Sequence, residues 1–231
     1  MFRNTDQWVE RYKSKGALWI HDGNRHRPHA RLSPNENMVS LHSNGFFDSR
    51  PVIEDESLTG EAASDLLQLF REQGGDISKV QGCVGPQKGA TKLAKIGSEW
   101  VYSHNIRPCF WASPAKHEEA GKKSMVFSDS ERSKLSGRMV LPWEDVLTTG
   151  SSVGLMVRAV EEAGGIVLPY VLVLVNRSGL QQVDGRRIVA LIKRDMPKWE
   201  ATNCPLCAKG SKAIRPKEGE NWDLLNASYQ D

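Results

Sequence analysis

Two adjacent carboxylates stand directly before a run of hydroxyl side chains in the second half of the sequence. Glu144 and Asp145 end an apolar run, and the following turn, Thr148–Ser152, reads TTGSS. The pattern predicts that a helix begins at this turn, and the unpaired N–H groups of a helix start attract phosphate. The carboxylates can accept hydrogen bonds from vicinal sugar hydroxyls, or hold a magnesium ion with its waters. Together these residues predict a site for a sugar phosphate.

An ordinary strand–turn–helix with a serine or threonine N-cap is the alternative interpretation of the same residues. That alternative accounts for a single hydroxyl residue. The turn has hydroxyl residues at Thr148, Thr149, Ser151 and Ser152, and it lies beside an acid pair. The sugar-phosphate interpretation explains all of them and is preferred.

Strand-like and helix-like segments alternate through the middle of the chain. Apolar runs predict strands, and apolar residues at helical spacing predict helices. The predicted strands are Val80–Val84, Ile106–Trp111, Met139–Val146 and Ile166–Val175, and the predicted helices are Leu58–Gln73, Ala90–Trp100 and Ser152–Ala163. This alternation predicts an α/β fold, a mostly parallel twisted sheet with helices on both faces. Because ligands bind at the carboxyl ends of such strands, the turns after these strands and the acid pair are expected on one rim.

The rest of the chain is predicted to add smaller parts to this domain. Residues 1–38 hold a short helix, Thr5–Lys13, and a polar loop, which together form small N-terminal hood elements. Residues 39–195 form the α/β domain. Residues 196–231 form a polar, irregular tail with a C-x-x-C motif.

Composition narrows the possible classes of protein. The 231 residues are 39% hydrophobic and 26% charged, which is ordinary for a globular chain. The net charge of +3 lacks the basic footprint of a nucleic-acid binder, although it suits an anionic ligand. We expect no membrane segment, because no apolar run is long enough to span a bilayer. The charged start, MFRNTDQWVERYKSKG, lacks the apolar core of a signal peptide, so a cytoplasmic location is expected.

The nine residues Glu144–Ser152, EDVLTTGSS, resemble the phosphoribosyl pyrophosphate signature of the type I phosphoribosyltransferases, and their form is similar to that of the orotate phosphoribosyltransferases in particular. Other segments agree with this resemblance. They are LHSNGFFD at 41–48, GPQKGA at 85–90, NRSG at 176–179, and a tail from Cys204 to Lys217 found in some longer members. The resemblance therefore extends over most of the chain.

The resemblance implies a reaction and a set of residues. The expected reaction transfers phosphoribose from phosphoribosyl pyrophosphate to orotate, with Mg²⁺, and makes orotidine 5′-monophosphate and pyrophosphate. Glu144, Asp145 and Lys116 are the implied catalytic residues, while Thr148 and Arg177 face the base. The donor is expected to contact Glu144, Asp145, Val146, Leu147, Thr148, Thr149, Gly150, Ser151, Ser152, Gly85, Pro86, Lys88 and Gly89. Family members commonly act as homodimers, so a homodimer is expected here too.

The polar, lysine-rich segment Ala112–Ser124 is expected to be a mobile lid loop over the pyrophosphate. Lys116 is the lysine expected to neutralise pyrophosphate. The chain departs from the family here, because Ala112-Ser113 stand where an Arg-Lys pair is usual. An orotate-contacting lysine of the family is also expected to be replaced near Met38. These departures keep two alternatives open: an enzyme for another base, and a non-catalytic regulator that binds phosphoribosyl pyrophosphate.

Cys204 and Cys207 have the spacing of a zinc knuckle. A knuckle supplies two ligands, and His26 and His29 are candidates to complete a structural zinc site. The alternative is a reduced, metal-free turn shaped by its proline and glycine. His42 is expected to be a surface or turn residue.

Overall fold

The computed structural model describes residues 3–33, 39–105, 107–119 and 121–230. The chain divides into two compact units. The larger unit comprises Met1–Trp8 and Ser49–Arg194, and the smaller unit comprises Val9–Asp48 and Asp195–Asp231. This division differs from the predicted one, because residues 9–48 fold with residues 195–231 in the smaller unit, whereas residues 39–48 were assigned to the α/β domain.

The α-helices in the described residues are α1 (Thr5–Ser14), α2 (Arg50–Glu54), α3 (Glu56–Glu72), α4 (Thr91–Asn105), α5 (Asp129–Leu135), α6 (Ser151–Glu162), α7 (Pro205–Ala208) and α8 (Asn221–Asn226). Short 3-10 turns cover Ile77–Lys79 and Ala201–Asn203. The predicted helices at 5–13, 58–73, 90–100 and 152–163 correspond to α1, α3, α4 and α6. Within the same residues, no helix is both long and apolar enough to cross a membrane.

The strands are β1 (Leu18–Ile20), β2 (His29–Arg31), β3 (Leu41–Ser43), β4 (Gly45–Phe47), β5 (Gly82–Val84), β6 (Phe110–Ala112), β7 (Ala115–Glu119), β8 (Lys122–Val126), β9 (Met139–Leu147), β10 (Ile166–Val167), β11 (Tyr170–Asn176), β12 (Gln182–Val183), β13 (Arg186–Lys193), β14 (Trp199–Glu200) and β15 (Ala213–Ile214). The apolar run 166–175 was predicted as one strand but forms two, with Pro169 between them. The strand expected at 106–111 begins later, at Phe110, and extends to Ala112. Ile106 lies outside the described residues.

The larger unit is built on a seven-stranded sheet of order β12-β13-β11-β9-β5-β6, with β10 also paired to β9. All of its pairings are parallel except β12 with β13. The predicted mostly parallel α/β sheet is therefore confirmed. Helix α6 packs on it through Val153 and Val157 in one apolar cluster and through Met156 and Val160 in another. Since β9 lies between β11 and β5, the turns that follow these three strands share one rim.

Pro142 lies inside this central strand, although a proline cannot donate a ladder hydrogen bond and is expected at an edge or a bulge. The register explains how it is tolerated. Residues Met139 and Val140 pair with β10, whereas pairing with β11 begins at Trp143. Pro142 therefore sits where β9 changes neighbours.

The smaller unit contains a four-stranded sheet of order β14-β3-β2-β15 and a separate β1–β4 pair. Trp19, Ala30, Leu32 and Leu225 form its apolar core. The prediction of an irregular tail is wrong here, because the C-terminal segment supplies two strands and two helices. These elements are short and polar at their surfaces, so their pairing is not visible as a periodic apolar pattern.

A glycine in α4 lets the helix approach the sheet closely. A Cβ added at Gly97 would lie 2.5 Å from the indole ring of Trp143, which is fully buried. We therefore expect Gly97→Ala to lower the free energy of unfolding by about 1–3 kcal/mol, because the ring cannot move in a packed core. Thermal denaturation followed by circular dichroism measures this loss.

Gly60→Ala in α3 is the matched control, since a Cβ at Gly60 meets nothing within 4 Å. It should be neutral or stabilise by up to about 1 kcal/mol, because alanine is the better helix former. Equal effects of the two substitutions would contradict close packing of α4 on β9.

Candidate active site

The acid pair lies within β9 and not after it, because this strand continues to Leu147. Successive side chains of a strand point to opposite faces, so the two carboxylates have different surroundings. Glu144 is 5% exposed, and its Oε1 accepts a hydrogen bond from the backbone N–H of Asp145 at 3.1 Å. Asp145 itself is half-buried. The predicted strand, Met139–Val146, already includes the pair, and the observed strand is one residue longer.

Helix α6 begins directly after the turn that follows β9, and its first N–H groups are suited to bind an anion. Gly150 is the N-cap residue with φ 88°, so the N-cap position itself offers no side-chain cap. The hydroxyl of Thr149 accepts a long hydrogen bond from the N–H of Ser151 at 3.5 Å and lies 2.9 Å from the hydroxyl of Ser151. A Cβ at Gly150 would also meet Val183 at 2.5 Å, so both the conformation and the space require glycine. The alternative of a serine or threonine N-cap is wrong, and the first N–H groups of a 12-residue helix point out of its start.

The glycine-bounded turn after β5 lies against the acid pair. Gly85 and Pro86 are buried, whereas Gln87 and Lys88 are exposed. A Cβ added at Gly89 would lie 2.8 Å from Cγ of Asp145 and 2.9 Å from each carboxylate oxygen. Residues more than fifty positions apart in sequence thus meet at the rim, as the parallel topology predicts.

Ser113 fixes this turn in place. Its hydroxyl donates to the carbonyl of Gly85 at 2.7 Å and lies 2.6 Å from the hydroxyl of Thr91. Its carbonyl accepts from Nε2 of Gln87 at 3.1 Å, and its N–H donates to Glu131 at 2.8 Å. Sequence reasoning did not identify this role, because an isolated serine carries no motif. Ser113 is small and buried, and it stands at one of the two positions where the family usually has an arginine or a lysine.

The segment predicted as a lid loop is an antiparallel hairpin of β7 and β8. Opposite charges face each other across it, Glu118 with Lys123 and Glu119 with Lys122, and such cross-strand pairs favour strand pairing. Nearly all of its side chains are exposed, but Met125 is buried in the apolar cluster that contains Val84 and Val140. The hairpin is therefore anchored at its base and exposed along its length.

Lys116 is exposed on β7, and its charge acts on the acid pair. Burial raises the pKa of Glu144 well above its usual range, the Asp145 carboxylate raises the pKa further, and the ammonium of Lys116 lowers it. The ammonium of Lys116 thus opposes the effect of burial on Glu144. Its contact with pyrophosphate stays a prediction.

The raised pKa of Glu144 predicts a pH-dependent gain in stability for Glu144→Gln. A carboxyl whose folded pKa exceeds its unfolded value holds its proton in the native state, so stability is lost as pH rises from the unfolded value through the folded one. Glutamine has no charge to bury. We expect the variant to unfold at nearly the wild-type temperature at pH 4 and several degrees higher at pH 8, since about 1 kcal/mol shifts Tm by roughly 2–4 °C in a chain of this size.

Glu162→Gln, at an exposed position of α6, is the control and should show no such trend. Calorimetry across pH 4–8 measures both variants. A constant Tm difference between Glu144→Gln and wild type would contradict the buried, proton-holding carboxyl. The gain in stability should accompany a loss of activity, because the carboxylate belongs to the predicted site.

Arg177 follows β11, and its N–H donates to the carbonyl of Leu147 at 3.0 Å. This bond places it beside the end of β9, on the predicted rim. Its side chain is 1% exposed, so a base would reach the guanidinium only after surrounding groups uncover it. Asn176 shapes this turn by accepting from the N–H and the hydroxyl of Ser178. The predicted lysine replacement near Met38 lies outside the described residues.

Solved structures share this fold. A phosphoribosyltransferase from Corynebacterium diphtheriae superposes with a TM-score of 0.54, covering 81% of this chain and 94% of that one at 19% identity. An orotate phosphoribosyltransferase from Aeropyrum pernix gives 0.52, covering 80% and 92% at 19% identity. The fold is therefore that of the phosphoribosyltransferases. No model of a protein family matches the chain.

Sequence relatives define the family more narrowly. An orotate phosphoribosyltransferase from Desulforamulus reducens is 33% identical over 175 residues, 76% of this chain and 83% of the relative. Another from Acidithiobacillus ferrooxidans is 30% identical over 216 residues, 91% and 95% of the two chains. The chain belongs to the orotate phosphoribosyltransferases, a family of the type I phosphoribosyltransferases. Members of this family are pentosyltransferases of pyrimidine synthesis.

Proposed function

We propose that this protein transfers the phosphoribosyl group of phosphoribosyl pyrophosphate to N1 of orotate with the help of Mg²⁺. The C1′–O bond to pyrophosphate breaks, and pyrophosphate leaves with the bonding electron pair. A C1′–N bond forms with N1, whose proton passes to solvent. The observation that carries the proposal is the contact of Gly89 with Asp145 beside the start of α6. It supports the proposal because a glycine-bounded turn, a carboxylate and a helix start, the groups needed to bind a sugar phosphate, lie on one rim.

Each part of this rim has a physical role in the proposal. The N–H groups and hydroxyls of Thr148–Ser152 bind the 5′-phosphate, which the helix dipole favours. Glu144 and Asp145 accept hydrogen bonds from the ribose hydroxyls, and the carboxylate of Asp145 stabilises positive charge that develops on the sugar ring. The amides of residues 85–89 bind the departing pyrophosphate, and Lys116 offsets its negative charge. A fixed position and fixed charges are what such a transition state requires.

The acid pair offers carboxylate oxygens, which are the protein ligands that Mg²⁺ usually has in phosphate-using enzymes. Among the described residues, the pair joins no third His, Cys, Asp or Glu in a metal-sized cluster. Mg²⁺ is usually bound by one or two carboxylates together with substrate oxygens and waters. Asp145 would hold the ion, which supplies charge neutralisation at the pyrophosphate.

Orotate is the acceptor in the proposal because the relatives are named for it. Arg177 is its proposed carboxylate ligand, through a two-point fork, and Thr148 contacts its ring. The buried Ser113 favours a second candidate, an enzyme for another base. Serine carries no positive charge, and its hydroxyl already bonds to Gly85 and Thr91. Ser113 therefore does not replace the basic pair that the family usually has at the start of the lid.

A base panel tests the proposal and separates the two candidates. The protein is mixed with phosphoribosyl pyrophosphate, Mg²⁺ and one base at a time, and pyrophosphate release is followed. We expect turnover with orotate to exceed that with uracil, adenine, guanine, hypoxanthine and nicotinate by at least about 100-fold, since loss of one carboxylate contact leaves a buried charge unpaired. Preference for another base supports the second candidate. No release with any base contradicts both. Sedimentation of the same sample tests the expected homodimer.

A further inference from the structure

We propose that the smaller unit contains a closed, structural zinc site formed by His29, His42, Cys204 and Cys207. One ligating atom from each residue lies within 4.8 Å of the other three. The cluster lies wholly within the smaller unit and shares no residue with the rim of the larger unit.

The separations within the cluster fit one tetrahedral ion. Nε2 of His29 lies 3.2 Å from Nδ1 of His42 and 3.5 Å from each of the two sulfurs, and Nδ1 of His42 lies 3.3 Å from Sγ of Cys207. Zinc bonds of about 2.0 Å to nitrogen and about 2.3 Å to sulfur put two nitrogens about 3.3 Å apart and a nitrogen about 3.5 Å from a sulfur. The four observed distances therefore match the separations expected between ligand atoms around one zinc ion.

A hydrogen-bond chain orients His29 for coordination. The hydroxyl of Ser211 donates to the carbonyl of Arg27 at 2.6 Å, so its single proton is used there. It must then accept from Nδ1–H of His29, which lies 2.8 Å away. With its proton on Nδ1, the ring presents Nε2 to His42 and to the two cysteines. Fixing the tautomer through the second nitrogen is characteristic of metal-bound histidine.

The local fold explains why these residues converge. Arg31 faces His42 in the β2–β3 register, so His29, two residues earlier, lies on the same face and one diagonal step away. The knuckle that carries both cysteines turns at Gly210, φ 90°, and leads into β15, which pairs in parallel with β2. Three of the four residues are buried: His29 is 0%, Cys204 3% and His42 6% exposed.

Four protein ligands leave no open position on a tetrahedral ion, so the site is structural and not catalytic. Zinc would join the C-terminal knuckle to the β2–β3 pair. Two cysteine thiolates balance the charge of one zinc ion, so the closed group is neutral as a whole. His26 is not a ligand, contrary to the sequence expectation, because it is exposed and its Nε2 accepts from Nε of Arg25 at 3.1 Å. The expectation that His42 is a surface residue is wrong as well.

Metal analysis of the full chain tests the proposal. The protein is purified under reducing conditions without chelator, and zinc is measured by inductively coupled plasma mass spectrometry. We expect one zinc per chain, and less than a tenth of that in Cys207→Ala and His42→Ala. His42→Cys should keep its zinc, because cysteine replaces one ligand with another. Cys109→Ser and His26→Ala, outside the cluster, should keep theirs too. Equal zinc in wild type and Cys207→Ala would overturn the site.

X-ray absorption on the unaltered protein decides the question even if ligand variants fail to fold. Two sulfurs at about 2.3 Å and two nitrogens at about 2.0 Å support the proposal. A shell of oxygen and nitrogen alone overturns it, as does a chain that stays metal-free with added zinc or forms a Cys204–Cys207 disulfide. Removal of zinc by a strong chelator should also lower Tm by at least about 10 °C, because the binding free energy contributes to folding.

Discussion

Replacing Asp145 by asparagine should reduce kcat/KM by about 10²–10³-fold, the largest loss expected from any single substitution in this chain. Asparagine keeps the shape of the side chain but removes its negative charge. The carboxylate lies against the Gly89 turn at the centre of the rim, where positive charge develops on the sugar and where Mg²⁺ would be held. Initial rates of pyrophosphate release, with donor and base varied in turn, measure the effect.

Asp129→Asn is the matched control, because Asp129 is exposed in α5. It should leave kcat/KM within about two-fold of wild type, as expected for a surface substitution away from the site. Asp145→Asn should also melt close to wild type, which separates a catalytic loss from unfolding. Near-wild-type turnover by Asp145→Asn would show that the acid pair does not act on the sugar.

A single methyl group at Gly89 should reduce kcat/KM by about 100-fold. The Cβ of Gly89→Ala would stand 2.8–2.9 Å from the carboxylate of Asp145, so that carboxylate or the turn must move. A displacement of about 1 Å between groups that position a substrate costs about that factor. The same assay measures the loss, and the Km for the donor should rise because the turn contributes to pyrophosphate binding.

A double-mutant cycle shows whether the methyl group acts through Asp145. If it does, Gly89→Ala should cost much less in the Asp145→Asn background than in wild type, because contacting residues are not additive. Gly154→Ala in α6 is the control, since its Cβ meets only the end of the Arg158 side chain at 3.6 Å. If the losses in kcat/KM of the two substitutions were fully additive, the methyl group at position 89 would not act through Asp145.

The rim could be predicted from the sequence because its information is local. Apolar runs gave the strands, and parallel topology then required their following turns to share one edge. The turn at Gly150 and its helix start were visible as residue types at fixed spacing. The predicted end of β9 was one residue short, since the ladder of β9 with β11 extends to Leu147.

Features that depend on distant partners escaped sequence reasoning. His42 and Cys207 are 165 residues apart, and the pairings of β14 with β3 and of β15 with β2 bring the knuckle to the histidines. The lid was read as a loop because its strands are polar on both faces, which removes the alternating pattern that indicates a strand. Ser113 was read as a missing basic residue, whereas its buried hydrogen bonds support the Gly85–Gly89 turn.

Calorimetric titration of phosphoribosyl pyrophosphate into the protein, with Mg²⁺ present and no base, tests the central claim most directly. The claim is that the donor binds where β9 turns into α6. Wild type should bind the donor, and the double variant Asp145→Asn/Thr149→Ala should bind it at least about 100-fold more weakly, because it loses a ribose contact and a phosphate contact. Unchanged donor affinity in the double variant would contradict the account.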